Sequence, residues 1–103
     1  MRLWVDDVRP APEGYRVARS VNEAKLAILQ FESEESQVSG KLELLDVDHD
    51  AGDYASDGGD YVKLLDWLEQ TGRSYPIRIH SMNPVGVANM RNIIRRNSWT
   101  EVR

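Results

Sequence analysis

A chain of 103 residues, 41% hydrophobic and 29% charged, with a net charge of -4, suits one small globular domain over residues 1–103, with material for a single core and not for two. Cysteine is absent, which excludes disulfides and thiolate metal sites and leaves oxygen and imidazole donors, hence hard cations first. No apolar run approaches the roughly 20 residues of a membrane helix, and the opening Arg2-Leu3-Trp4-Val5 has no signal-type pattern, so a soluble, cytoplasmic protein with no membrane partner is expected.

Leu3 to Val5 reads as a short β-strand that ends at Asp6-Asp7, followed by a proline-punctuated loop from Arg9 to Gly14. Tyr15 to Ala18 is a second short strand. Ser20 and Glu23 then form a capping box for a helix whose Val21, Ala24, Ile28 and Phe31 recur at helical spacing. Glu32 to Gly40 is a polar surface loop. The nearly continuous apolar run from Leu42 to Val47 predicts a strand buried on both faces, and it stops at Asp48-His49-Asp50.

An acidic stretch from Ala51 to Gly59 is expected to be flexible, with Asp57-Gly58-Gly59-Asp60 a mobile loop. It leads into a helix with Tyr61, Leu64, Leu65 and Leu68 on its apolar face and Gly72 at its close. Pro76 to Ile79 is a further buried strand. After His80-Ser81-Met82, Asn83 is a natural N-cap and Pro84 a natural first helical residue for a helix through Val87, Met90 and Ile94 that ends near Asn97. Trp99 to Val102 is a candidate edge strand.

Strands alternating with helices imply right-handed crossovers, hence an α/β fold: an abbreviated flavodoxin-like, three-layer sandwich with a mainly parallel sheet of 4–5 strands and helices on both faces. Ligands bind such sheets outside the carboxyl ends of the strands, where strand order reverses. Asp6, Asp7, Asp48, His49, Asp50, His80 and Ser81 all follow inferred strand ends. Three carboxylates in one crevice repel one another unless a cation compensates, so Asp6, Asp7 and Asp48 are candidate ligands for Mg2+ or Mn2+.

His49 and His80, the only histidines, are candidates for a general base and a general acid on one phosphate, with metal ligation or a structural role as alternatives. Arg9 can reach back as a bidentate fork to a phosphate, or pair with a neighbouring aspartate. Ser81 and the helix start at Asn83 can donate to an anion, and Asp50 borders the same crevice. Residues 43–69 hold nine acidic side chains against Lys63 alone, about -8, whereas from Arg78 onward five arginines face only Glu101. Those arginines are either a solvated helix face or an attractor for a phosphate-bearing ligand.

Asp6-Asp7 with Arg9-Pro10, then Val47-Asp48-His49-Asp50, then His80-Ser81-Met82-Asn83-Pro84 resembles the receiver-like family of cyclic-phosphate processing receiver domains. The resemblance spans nearly the whole chain. It implies a receiver-type fold, a divalent metal at the acidic pocket and a role on cyclic phosphates, such as the 2',3'-cyclic phosphate of an RNA end or nucleotide. In an ordinary phosphoaccepting receiver the same sites would be an acidic pair at Asp6-Asp7, an acceptor at Asp48, a hydroxyl at Ser81 and a lysine ending the last strand. No lysine follows Lys63, so Asp48 reads better as a metal ligand than as a phosphoacceptor. Two functions remain open: a metal-dependent phosphoesterase, or a non-catalytic degenerate receiver that binds metal or phosphate and regulates a partner protein. Direct nucleic-acid binding through the Arg78 to Arg103 face is weaker, because the chain is acidic overall.

Overall fold

The computed structural model describes residues 1–34 and 42–103. In chain order it has β1 (Arg2–Val5), β2 (Tyr15–Ala18), α1 (Val21–Glu34), β3 (Leu44–Val47), a short 3-10 turn (Gly52–Ser56), α2 (Val62–Gln70), β4 (Ile77–Ile79) and α3 (Pro84–Arg96). The strands form an all-parallel sheet in the order β2-β1-β3-β4. Strand order reverses between β1 and β3, where the expected ligand crevice lies. The fold is the abbreviated receiver-like, flavodoxin-like α/β arrangement.

Register explains which side chains share a face. Leu3 and Val5 lie beside Leu45 and Val47, and Leu45 beside Ile77. These residues join Val21, Ala24 and Ile28 of α1, Leu64, Leu65 and Leu68 of α2, and Met90, Ile93 and Ile94 of α3 in one buried cluster. All three helices therefore cover the same face of the sheet. Each fully buried leucine contributes about 1.5–3 kcal/mol.

The alternate residues Trp4, Asp46 and Arg78, in register across β1, β3 and β4, point to the opposite face. Helices on both faces were expected; among the described residues this second face carries none. The loop between β1 and β2 lies over the Trp4 part of it instead, with Arg9 O accepting the Trp4 indole N–H at 3.1 Å. Pro10 and Pro12 explain the substitution, since prolines two residues apart remove helical donors and clash with the preceding turn.

The helix starts follow their sequence signals. Ser20 Oγ accepts the Glu23 N–H at 3.0 Å. Glu23 reaches one residue further back than a standard capping box, accepting from Arg19 N at 3.3 Å. Asn83 caps α3 by accepting the Gly86 N–H at 3.1 Å, with Pro84 next in the chain. Gly72, at φ +69°, follows α2 as expected.

Three further expectations change. α1 runs through Phe31 to Glu34, replacing the start of the predicted loop; the rest of that loop, from residue 35 to Gly40, lies outside the described residues. The stretch after Asp50 is an ordered 3-10 turn, and Asp57 is tied down by Ser20 Oγ at 2.6 Å and Asn22 Nδ2 at 3.0 Å rather than free. The candidate edge strand at Trp99 to Val102 is reduced to one parallel bridge between Glu101 and Ile77. Among the described residues no helix is long and apolar enough to cross a membrane.

Candidate functional site

Backbone pairing carries on past the strand ends and sets the site. Asp6 N donates to Ala18 O at 3.3 Å, Asp48 N to Val5 O at 2.9 Å, and His80 N to Val47 O at 3.0 Å. The residues after β1, β3 and β4 are thereby fixed side by side at the carboxyl edge. One carboxylate oxygen from each of Asp6, Asp7 and Asp48 lies within 4.8 Å of the others.

Asp6 is fully buried. Burial alone would raise its pKa, but the backbone N–H groups of Arg9 (2.9 Å) and Val8 (3.0 Å), together with His80, outweigh that and hold it below the usual carboxylate range. Asp7 has only its own backbone N–H to favour the charged form, which is not enough. Burial pushes its pKa up, and the neighbouring Asp6 and Asp48 carboxylates push it further. The phenol of buried Tyr61 is raised by burial and by the same three aspartates, while its O–H donates to Arg19 O at 2.7 Å.

Gly52 makes room for Asp7. At φ +54° it adopts the left-handed region, and a Cβ there would sit 2.4 Å from Asp7 Oδ2. Repelling hard oxygen donors in a crevice shaped around them suit a divalent cation such as Mg2+ or Mn2+, which would be held by Asp6, Asp7 and Asp48.

The two histidines go to different places. His80 Nε2 lies 2.9 Å from Asp6 Oδ2 and Nδ1 lies 2.7 Å from Asp46 Oδ1, while Trp4 stacks on the ring. Both ring nitrogens thus face carboxylates on the helix-free side. His49 turns to the helical side, its Nδ1 2.8 Å from Asp50 Oδ1 and its ring so close to α3 that a Cβ on Gly86 would lie 2.3 Å from Cγ. The expected pairing of both imidazoles on one phosphate is not the arrangement found, because the pleat sends the residue after β4 and the second residue after β3 to opposite sides.

Asp50 is held below its usual range by the His49 hydrogen bond first, with Asn83 adding; Asn83 Nδ2 donates to Asp50 Oδ1 at 3.3 Å. Ser81 Oγ accepts from Asn83 N at 3.2 Å. Among the described residues Arg9 pairs with no aspartate side chain; one guanidinium nitrogen donates to His80 O at 3.1 Å. His49, Asp50 and Asn83 thus form one group, and Asp6, Asp7, Asp48 and His80 another beside it.

Sequence reading missed Asp46, which is 1% exposed and also accepts from Tyr15 Oη at 3.2 Å. Its signal was a charge inside a strand expected to be buried on both faces, which demands a partner. Gly52 and Gly86 gave no local signal, since close approach depends on residues distant in sequence.

An all-parallel sheet of this order, with clustered acidic residues at its reversal point, defines a receiver-like domain. Residues 1–96 match the family model described as Cyclic-phosphate processing Receiver domain, and the chain belongs to that family. No curated protein and no solved structure matches it.

Proposed function

We propose that the chain is a metal-dependent phosphoesterase-like domain acting on cyclic phosphates, such as a 2',3'-cyclic phosphate at an RNA or nucleotide end. The observation that carries this reading is the set of three carboxylate oxygens within 4.8 Å at the switch point of the sheet, with the His49, Asp50 and Asn83 group beside it. A divalent cation, when bound, supplies neutralisation of these carboxylates and polarisation of a phosphoryl oxygen.

The chain's own groups take the remaining roles. Asp50 fixes His49 through Nδ1, which leaves Nε2 as the atom that takes or returns a proton. Asn83 holds Asp50 and, through its cap, the start of α3. His80, with both nitrogens engaged, orients Asp6 instead of shuttling protons. The guanidinium of Arg9 retains donors for a phosphate oxygen, as does the hydroxyl of Ser81.

Incubation of the purified protein with Mg2+ or Mn2+ and a panel of 2',3'-cyclic nucleotides tests the reading. Turnover lost in Asp48→Asn and His49→Ala is the expected result. The missing terminal lysine and the helix-free sheet face favour the second reading, a non-catalytic receiver that regulates a partner protein. Calorimetric Mg2+ binding without turnover of any member of the panel would select that second reading.

A further inference from the structure

A groove of about 510 Å3 runs along the exposed side of α3, from Ser81 and Met82 past Pro84 and Val87 to Arg91 and Arg95. Among the described residues that line it none is acidic. Neighbouring arginines are already committed: Arg91 to Glu101 at 2.9 Å and Arg96 to Glu69 at 2.7 Å. Arg95 alone of the three pairs with no carboxylate among the described residues. At the other end of the groove Met82 is 83% exposed, and its flexible, polarizable thioether can take a planar group resting on it.

We propose that this groove binds the phosphodiester chain of a single-stranded oligonucleotide. The proposal rests on the function proposed above for its direction: with a terminal phosphate on the cation that Asp6, Asp7 and Asp48 would hold, the preceding nucleotides pass Ser81, the residue after His80, and enter the groove. From Pro84 to Arg95 the helix rises about 16 Å, at 1.5 Å per residue. A strand advances about 3.4 Å per nucleotide in a duplex, so the groove exceeds one nucleotide even for a stretched chain. Pro84, Ala88, Arg91 and Arg95 recur every three or four residues and so lie on one helix face. The arrangement places an apolar resting surface for a base near the pocket and a free guanidinium further along the backbone. The overall charge of -4 does not oppose this, because the acidic side chains concentrate in residues 43–69, outside the groove lining.

Fluorescence anisotropy on the full chain tests the site, using a labelled oligoribonucleotide of roughly six nucleotides that ends in a 3'-phosphate. Binding should weaken about tenfold in Arg95→Glu, with a salt slope shallower by about one. Ala88→Glu, which adds a charge to the groove wall without touching Arg95, should act in the same direction, and circular dichroism confirms the fold of each. Turnover or binding of a mononucleotide 2',3'-cyclic phosphate should be unchanged in both. Equal oligomer binding by wild type and both variants, or equally tight binding of a polyglutamate peptide, overturns the groove. Oligomer binding that depends on Arg95 without turnover of any substrate would leave the groove standing and remove the phosphoesterase reading.

Discussion

The Trp4 indole lies flat on the His80 imidazole, ring centroids 3.9 Å apart and planes 7° from parallel. Tyr15 meets the same indole edge-on at 5.8 Å and donates to Asp46, so the ring is clamped by stacking from one side and by two carboxylates in its plane. Such a ring cannot turn to follow a substrate. It can hold Asp6 in one orientation through Nε2, 2.9 Å from Asp6 Oδ2.

Removing Asp46 should expose what it holds. Asp46→Ala leaves His80 Nδ1 and the Tyr15 hydroxyl without their buried acceptor, and we expect a loss of roughly 3 kcal/mol in urea denaturation. Asp46→Asn, which keeps an acceptor oxygen, should cost less. Equal stability of the alanine variant and wild type would contradict the clamp.

Gly86, which has no Cβ, leaves the space in which the His49 ring lies. Gly86→Ala puts a methyl group 2.3 Å from the imidazole and should destabilise the fold by about 1–3 kcal/mol, as overpacked sites do. Once the ring is gone, in a His49→Ala background, the same substitution should be nearly neutral or stabilising through helix propensity. A double-mutant cycle with no coupling would refute the contact.

Asp7 should make the pocket sensitive to ions. Its folded pKa lies above the unfolded value of 3.8, so the stability tied to its protonated form is fully present below that value and is lost as pH rises through the folded pKa. At neutral pH the ionised group works against the fold. Asp7→Asn should therefore raise Tm by roughly a few degrees in chelator. Addition of Mg2+ or Mn2+ should stabilise wild type and leave the variant behind, readable by thermal shift without any substrate.

Away from the site, Glu69 is clasped by Arg96 and Asn97, and the Arg96 hydrogen bonds bring its pKa down to about 2 from 4.5. A depressed carboxylate contributes stability above its unfolded pKa and loses it as pH falls toward the folded value. The acid limb of Tm against pH, between about 4.5 and about 2, should flatten in Arg96→Ala. Because the pair is exposed, the effect should be small and weaken further in high salt.

Local signals carried the elements and the outline of the pocket. The Ser20 and Asn83 caps, the apolar spacing of Leu64, Leu65 and Leu68, and the strand runs that break at Asp6 and Asp48 are short-range patterns, and strand alternation with helices was enough to gather Asp6, Asp7 and Asp48 at one edge. The prolines at 10 and 12 were visible as a loop, yet that this loop would stand in for a helical layer over Trp4 depended on which sheet face the helices chose. Only the tertiary structure decided the fates of the histidines. His49 and His80 both follow strands, and nothing local distinguishes them. The pleat and the register of β1, β3 and β4 aim one ring at α3 and set the other between Asp46 and Asp6. Residues at Gly52 and Gly86 were equally silent, because the space they leave belongs to side chains tens of positions away, and steric exclusion exists only after the chain has folded.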